Sequence, residues 1–205
     1  MKNESAVKRV TKSIGLFGGT FDPVHYGHLI IAESIREQAG LDIVTFIPAA
    51  NPPHKHYELM FDAKQRFDML SNAVRDNPKF SISDIEIQRE GPSFTIDTIR
   101  TIKRELPSET KLSFIVGKDN LYELETWKET KAILEECTIL AADRVCEKKH
   151  DIPDWMRSKV VFIKVPLIEI SSSEIRKRIR EGKSIRYLLP DVVADSIEKG
   201  MGSRE

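Results

Sequence analysis

A chain of 205 residues can bury the core of an α/β domain, and 40% hydrophobic with 31% charged residues excludes both a disordered and a membrane-embedded protein. Its 32 basic and 32 acidic residues give a formal net charge of +0, which excludes a bulk nucleic-acid binder, since that needs a basic surface. The two cysteines, Cys137 and Cys146, are too few and too unpatterned for a disulfide framework or metal knuckle, so a reduced, cytoplasmic protein without a membrane span is expected.

Met1 to Lys12 is polar and basic and lacks the apolar segment of a signal peptide, so it reads as a disordered tail before one domain spanning 13–205. Ile14-Gly15-Leu16-Phe17 reads as a buried strand that breaks at Gly18-Gly19. Helical spacing then starts at Leu29, Ile30, Ala32 and Ile35, giving a helix from about Gly27 to Ala39 with Gly40 at its C-cap. A second strand, Ile43 to Ile47, stops at Pro48 and feeds the loop Ala49 to His56, which prolines stiffen. The next helix runs from Asp62 to Arg75 with Ala63, Phe67, Leu70 and Val74 facing inward; Asp62 and Gln65 form a capping-box pattern.

Phe80 to Asp84 alternates as a short strand, and Gly91-Pro92 marks a turn. Ser93 or Thr95 then caps a helix to about Leu106. Strands follow at Leu112–Val116, Thr138–Ala142 and Val160–Ile163, with a charged loop from Cys146 to Pro153. Ser171 and Glu174 suit a capping box that opens another helix, and the last helix spans Asp191 to about Lys199. The chain reads as a doubly wound, Rossmann-like α/β domain with a parallel sheet and helices on both faces.

Chemistry concentrates where strands end and helices begin. Gly18, Gly19, His25 and His28 stand at the mouth of the first helix, whose free amides can hold an anion. The residues alone leave open a phosphate site or an ordinary strand–turn–helix start carrying surface histidines. No P-loop or dinucleotide fingerprint is present, and a zinc site would need further ligands near the pair. Gly117 and Asp119 end a strand, where a carboxylate can accept from a ribose hydroxyl. Trp127, as a lone tryptophan, suits the core, given how much area it buries. Ser171 to Arg176 forms a second helix start over which Arg176 can reach back, or simply a capped helix with a basic face.

The run Gly18-Gly19-Thr20-Phe21-Asp22-Pro23-Val24-His25-Tyr26-Gly27-His28 resembles the G-G-T-F-D-P-x-H-x-G-H signature of the H-x-G-H nucleotidyltransferase superfamily. Pro52-Pro53-His54-Lys55, Gly91 to Thr98, Gly117 with Asp119, and Ile170-Ser171-Ser172-Ser173 with Arg176 are similar to further blocks of bacterial nicotinate-nucleotide adenylyltransferases. The Gly91-to-Thr98 block and the P-P-H-K motif argue against the related pantetheine-phosphate adenylyltransferases. A non-catalytic nucleotide sensor is the rival of a different class, disfavoured by intact His25, His28 and Arg176.

The resemblance implies adenylyl transfer from ATP to nicotinate mononucleotide, giving deamido-NAD and pyrophosphate, with Mg²⁺ entering on ATP. It implies catalytic roles for His25, His28 and Arg176. Gly18, Gly19, Thr20, Phe21, His25, His28, Gly117, Asp119, Ser173 and Arg176 would bind ATP; Asn51, Lys55, Thr95 and Trp127 would bind the mononucleotide. No protein metal ligand, nucleic-acid partner or membrane partner is expected, and homo-oligomerisation stays open.

Overall fold

The computed structural model describes residues 12–52, 59–143 and 152–202, with the backbone alone at 118, 119, 201 and 202. Lys55, the Cys146-to-Pro153 loop up to 151 and the expected tail up to 11 therefore lie outside the described residues, as does the Asp119 side chain. The strands are β1 (Ser13–Gly19), β2 (Ile43–Pro48), β3 (Phe80–Ile82), β4 (Lys111–Val116), β5 (Thr138–Asp143) and β6 (Val160–Lys164). They form one sheet in the order β3-β2-β1-β4-β5-β6, and every pairing is parallel. This is the doubly wound order, and it reverses between β1 and β4.

Alternation along the buried strands builds two cores. Phe17, Phe46, Ile115 and Leu140 face one side, with α1 (Tyr26–Gln38), α2 (Ala63–Val74), α8 (Ser172–Arg180) and α9 (Asp191–Gly202) packed over them. Leu16, Ile47, Phe114 and Ile139 face the other, under α4 (Thr95–Glu105), α5 (Lys118–Glu123), α6 (Thr130–Glu136) and α7 (Asp154–Arg157). Both faces must be covered because the strands of a parallel sheet are apolar on both sides.

The long helices begin and end close to where the sequence puts them. Asp62 Oδ1 accepts from Gln65 N at 2.8 Å while Gln65 Oε1 accepts from Asp62 N at 3.0 Å, completing the capping box of α2. Gly40 follows α1 at φ +63°, a left-handed conformation that suits glycine. Three expectations need correction. Phe94, not Ser93 or Thr95, occupies the N-cap of α4, and no side chain caps that helix. On α2 the buried positions are Arg66, Met69, Leu70 and Val74, while Phe67 is half-buried. Ile30 is exposed, because α1 turns Ala32 and Ile35 inward. The short helices α3 (Ile85–Gln88), α5, α6 and α7 have no counterpart in the sequence reading.

Candidate active site

At the point where strand order reverses, a cavity of about 430 Å³ opens over the carboxyl ends of β1 and β4. Gly18, Gly19, Thr20, Phe21, His25, His28, Thr95, Gly117, Trp127, Ser173 and Arg176 line it, so the structure brings most of the expected site residues together. Asn51 is not among its lining residues. Its backbone instead pairs with Ser93: Asn51 N donates to Ser93 Oγ at 3.2 Å and Ser93 N to Asn51 O at 3.0 Å.

The histidine pair is built by the helix start. His25 is the N-cap of α1 in an extended conformation, and its carbonyl accepts from His28 N at 3.0 Å. His25 N donates to His28 Nδ1 at 3.3 Å. His28 Nδ1 is therefore an acceptor, and in the neutral ring the proton sits on Nε2, ready to donate. The two rings stack with centroids 3.7 Å apart, and Phe21 packs edge-on against His28 at 5.0 Å. Gly27 makes this possible, since a Cβ there would lie 2.9 Å from His25 Nδ1. Burial pushes the His25 imidazole down to about 4, and burial plus the neighbouring His25 holds His28 well below its usual range. Both rings are neutral near pH 7. His25 Nδ1 is buried without a hydrogen-bond partner among the described residues.

The second helix start meets the first. Ser171 Oγ accepts from Glu174 N at 3.2 Å, the serine half of the expected capping box. Ser172 Oγ donates to Pro23 O at 2.9 Å, docking α8 onto the turn before α1. Arg176, 6% exposed, reaches back along its helix: Nη2 donates to Ser173 Oγ at 3.2 Å and Nη1 to Asp22 O at 2.8 Å.

Two residues that sequence reasoning did not single out hold these loops in place. Asp22 is 1% exposed, and its carboxylate accepts from Met60 N at 3.1 Å and Phe61 N at 3.0 Å. Arg66 is fully buried and donates to Thr20 O and Ala49 O, both at 2.7 Å, and to Phe61 O at 3.2 Å. Satisfying several carbonyls at once is what makes a buried guanidinium tolerable. The signal was a lone arginine on the inward stripe of α2, one turn before Leu70. Glu86 is a third such residue: burial pushes its carboxyl up, and it accepts from Thr98 Oγ1 at 2.7 Å beneath the start of α4.

On the opposite wall, Trp127 is half-buried, meets Phe114 edge-on at 6.1 Å, and carries Nε1 buried without a partner among the described residues. Gly117 is the N-cap of α5. The cavity thus offers four helix starts (α1, α4, α5 and α8), two neutral imidazoles and a guanidinium, an arrangement suited to holding phosphates in line.

A cavity of this kind at the carboxyl edge of a doubly wound sheet is where α/β proteins of the nucleotide-handling class bind their ligands. The model of the cytidylyltransferase-like family matches residues 16–178. A "probable nicotinate-nucleotide adenylyltransferase" of Exiguobacterium sibiricum is 46% identical over 186 residues, covering 91% of this chain and 96% of its own. One of the same name from Desulfitobacterium hafniense strain Y51 is 43% identical over 196 residues, covering 92% and 94%. The solved Plasmodium falciparum nicotinic acid mononucleotide adenylyltransferase complexed with NaAD shares the fold, with a TM-score of 0.75 at 21% identity, covering 92% of this chain and 96% of that one. The chain belongs to the cytidylyltransferase-like family and, within it, to the nicotinate-nucleotide adenylyltransferases.

Proposed function

We propose that the protein transfers the adenylyl group of ATP to nicotinate mononucleotide, forming deamido-NAD and releasing pyrophosphate. The observation that carries this reading is the meeting of two helix starts, α1 and α8, over one cavity, tied by Ser172 to Pro23 and by Arg176 to Asp22. A triphosphate bridging them would be held at both ends.

In this reading a phosphate oxygen of the mononucleotide attacks the α-phosphorus of ATP. The bond from that phosphorus to the bridging oxygen breaks, and pyrophosphate leaves with the electron pair. The attacking oxygen is already ionised, so no general base is required. His28 Nε2 and His25 would donate to phosphate oxygens as charge shifts across the α-phosphorus. Arg176 and Ser173 would hold the β- and γ-phosphates, the guanidinium through paired donors. Gly117 and Asp119 would take the adenosine ribose, while Gly18, Gly19, Thr20 and Phe21 shape the floor beneath ATP. The amides opening α4 at Thr95, which no side chain caps, would meet the nicotinate carboxylate, with Trp127 stacked on the ring. Asn51 and Lys55 would complete the mononucleotide side.

Mg²⁺ suits this site as an ion carried by the nucleotide. Among the described residues no group of three or more His, Cys, Asp or Glu side chains could hold a metal. It would neutralise phosphate charge, with its remaining ligands from water.

The test is pyrophosphate release from Mg²⁺-ATP with nicotinate mononucleotide, nicotinamide mononucleotide and phosphopantetheine side by side. Turnover with the first, at a kcat/KM at least about tenfold above the second, is expected. Turnover with none of them would favour a nucleotide sensor, and turnover with phosphopantetheine alone a pantetheine-phosphate enzyme.

A further inference from the structure

Lys128 follows Trp127 directly and lines the same cavity. Its Nζ lies 3.0 Å from Asp97 Oδ2, 3.3 Å from Asp97 Oδ1 and 4.8 Å from the centroid of the Phe94 ring. Phe94 is the N-cap of α4 and Asp97 lies in its first turn. One side chain therefore fastens the Trp127 turn to the uncapped start of α4 across the mouth of the cavity. A second bridge, Arg100 to Glu129 at 2.8 Å, joins the same segments one turn further along α4, but neither residue lines the cavity. Lys128 alone of these joins reaches the space a ligand would occupy.

We propose that Lys128 is a positioning and specificity residue for the acidic mononucleotide. It fixes the distance between the face of Trp127 and the free amides of α4, so that a pyridine ring is stacked while its carboxylate is bonded. It also brings a cationic side chain to a lining whose other charged residues are Asp22, Glu86, Glu123 and Arg176. The inference deepens the proposed function and rests on it, since it assigns this end of the cavity to the mononucleotide.

The contacts set the consequences. The pair is solvent-accessible, with 41% and 36% of the Lys128 and Asp97 side chains exposed, and such pairs add little to global stability. Loss of alignment at a binding surface acts on substrate use far more than on folding. Arginine can keep both contacts, because it pairs with carboxylates and stacks on rings. Methionine keeps the apolar stem and loses the charge.

The experiment measures initial rates for wild type, Lys128→Met, Lys128→Arg and Asp97→Asn, varying nicotinate mononucleotide at saturating ATP and the reverse, with thermal melts of each. Lys128→Met should raise KM for nicotinate mononucleotide about fivefold, change KM for ATP by less than about twofold, and leave the melt unmoved. The preference for nicotinate over nicotinamide mononucleotide should fall with it. Lys128→Arg should retain most of the wild-type behaviour, and Asp97→Asn should shift KM in the same direction as Lys128→Met. In an active enzyme, an unchanged KM for nicotinate mononucleotide in Lys128→Met, or an equal rise for ATP, overturns this inference and leaves the proposed function standing. A wild type that does not turn over nicotinate mononucleotide overturns both.

Discussion

Gly27→Ala puts the histidine pair under direct strain. The added Cβ would stand 2.9 Å from His25 Nδ1 and 3.0 Å from His25 Cε1, while carbon contacts prefer about 3.5 Å. The ring must yield by roughly half an ångström. It is hemmed in, with the His28 ring stacked 3.7 Å away on its face. Alanine gains up to about 1 kcal/mol over glycine in a helix, and overpacking costs about 1–3 kcal/mol, so the net loss is about 0–2 kcal/mol. The melting temperature should therefore fall by no more than about 8 °C, at roughly 2–4 °C per kcal/mol for a chain of this size. Displaced donors are costlier to rate than to folding, and kcat should fall on the order of 10²-fold. Pyrophosphate release, paired with circular dichroism melts, reads both quantities. A folded variant with wild-type kcat would refute the claim that the placement of the stacked rings serves turnover.

Three further outcomes follow from the same geometry. His28→Ala should lower kcat on the order of 10²–10³-fold with the fold intact by circular dichroism, because it removes one preorganised donor. Arg176→Lys keeps the charge but loses the planar fork, so steady-state kinetics should show weaker ATP use and slower turnover with little change in KM for nicotinate mononucleotide. The depressed His25 pKa makes stability depend on pH with a definite sign. Below about 6.5 the unfolded chain takes up a proton that the folded ring refuses until about pH 4. Folding is thus fully supported above that window and loses up to about 3 kcal/mol as pH falls through it. Urea unfolding at pH 7 and pH 4.5 should show the slope, and His25→Asn should reduce it, leaving the part that His28 contributes with the same sign.

Local chemistry was legible in the sequence because it acts within a few residues. The Asp62–Gln65 capping box, the left-handed Gly40 and the serine cap of α8 each depend on neighbours three or four positions away. The parallel sheet was legible too, since strands buried on both faces read as continuous apolar runs. Helices α5, α6 and α7 were not, because spans of six, seven and four residues hold too few turns to show a period. Ile30 misled for a related reason: an apolar residue beside the stripe of α1 counts toward the pattern whether or not it is buried. At the start of α4, Ser93 has the right side chain for a cap but spends its hydroxyl and amide on Asn51, a partner 42 residues away.

Buried polar clamps lay furthest beyond the sequence, and they explain how the site is held. Arg66 meets Thr20 across 46 residues, Ser172 meets Pro23 across 149, and Arg176 meets Asp22 across 154. No local rule links such pairs; they exist because the sheet order sets β2 on one side of β1 and the route to α8 returns over the other. Their division of labour is chemical. Arg66 turns its guanidinium on backbone carbonyls, with burial drawing its pKa downward, so it stiffens the loops after β1 and β2. Arg66 is absent from the cavity lining, where Arg176 supplies a guanidinium beside two neutral imidazoles. A transfer that shifts charge among phosphate oxygens gains most from donors already fixed in place, because they need not reorganise as the bond breaks. Arg66 and Asp22 thereby hold the loops around the cavity, and the guanidinium that lines it is left to Arg176.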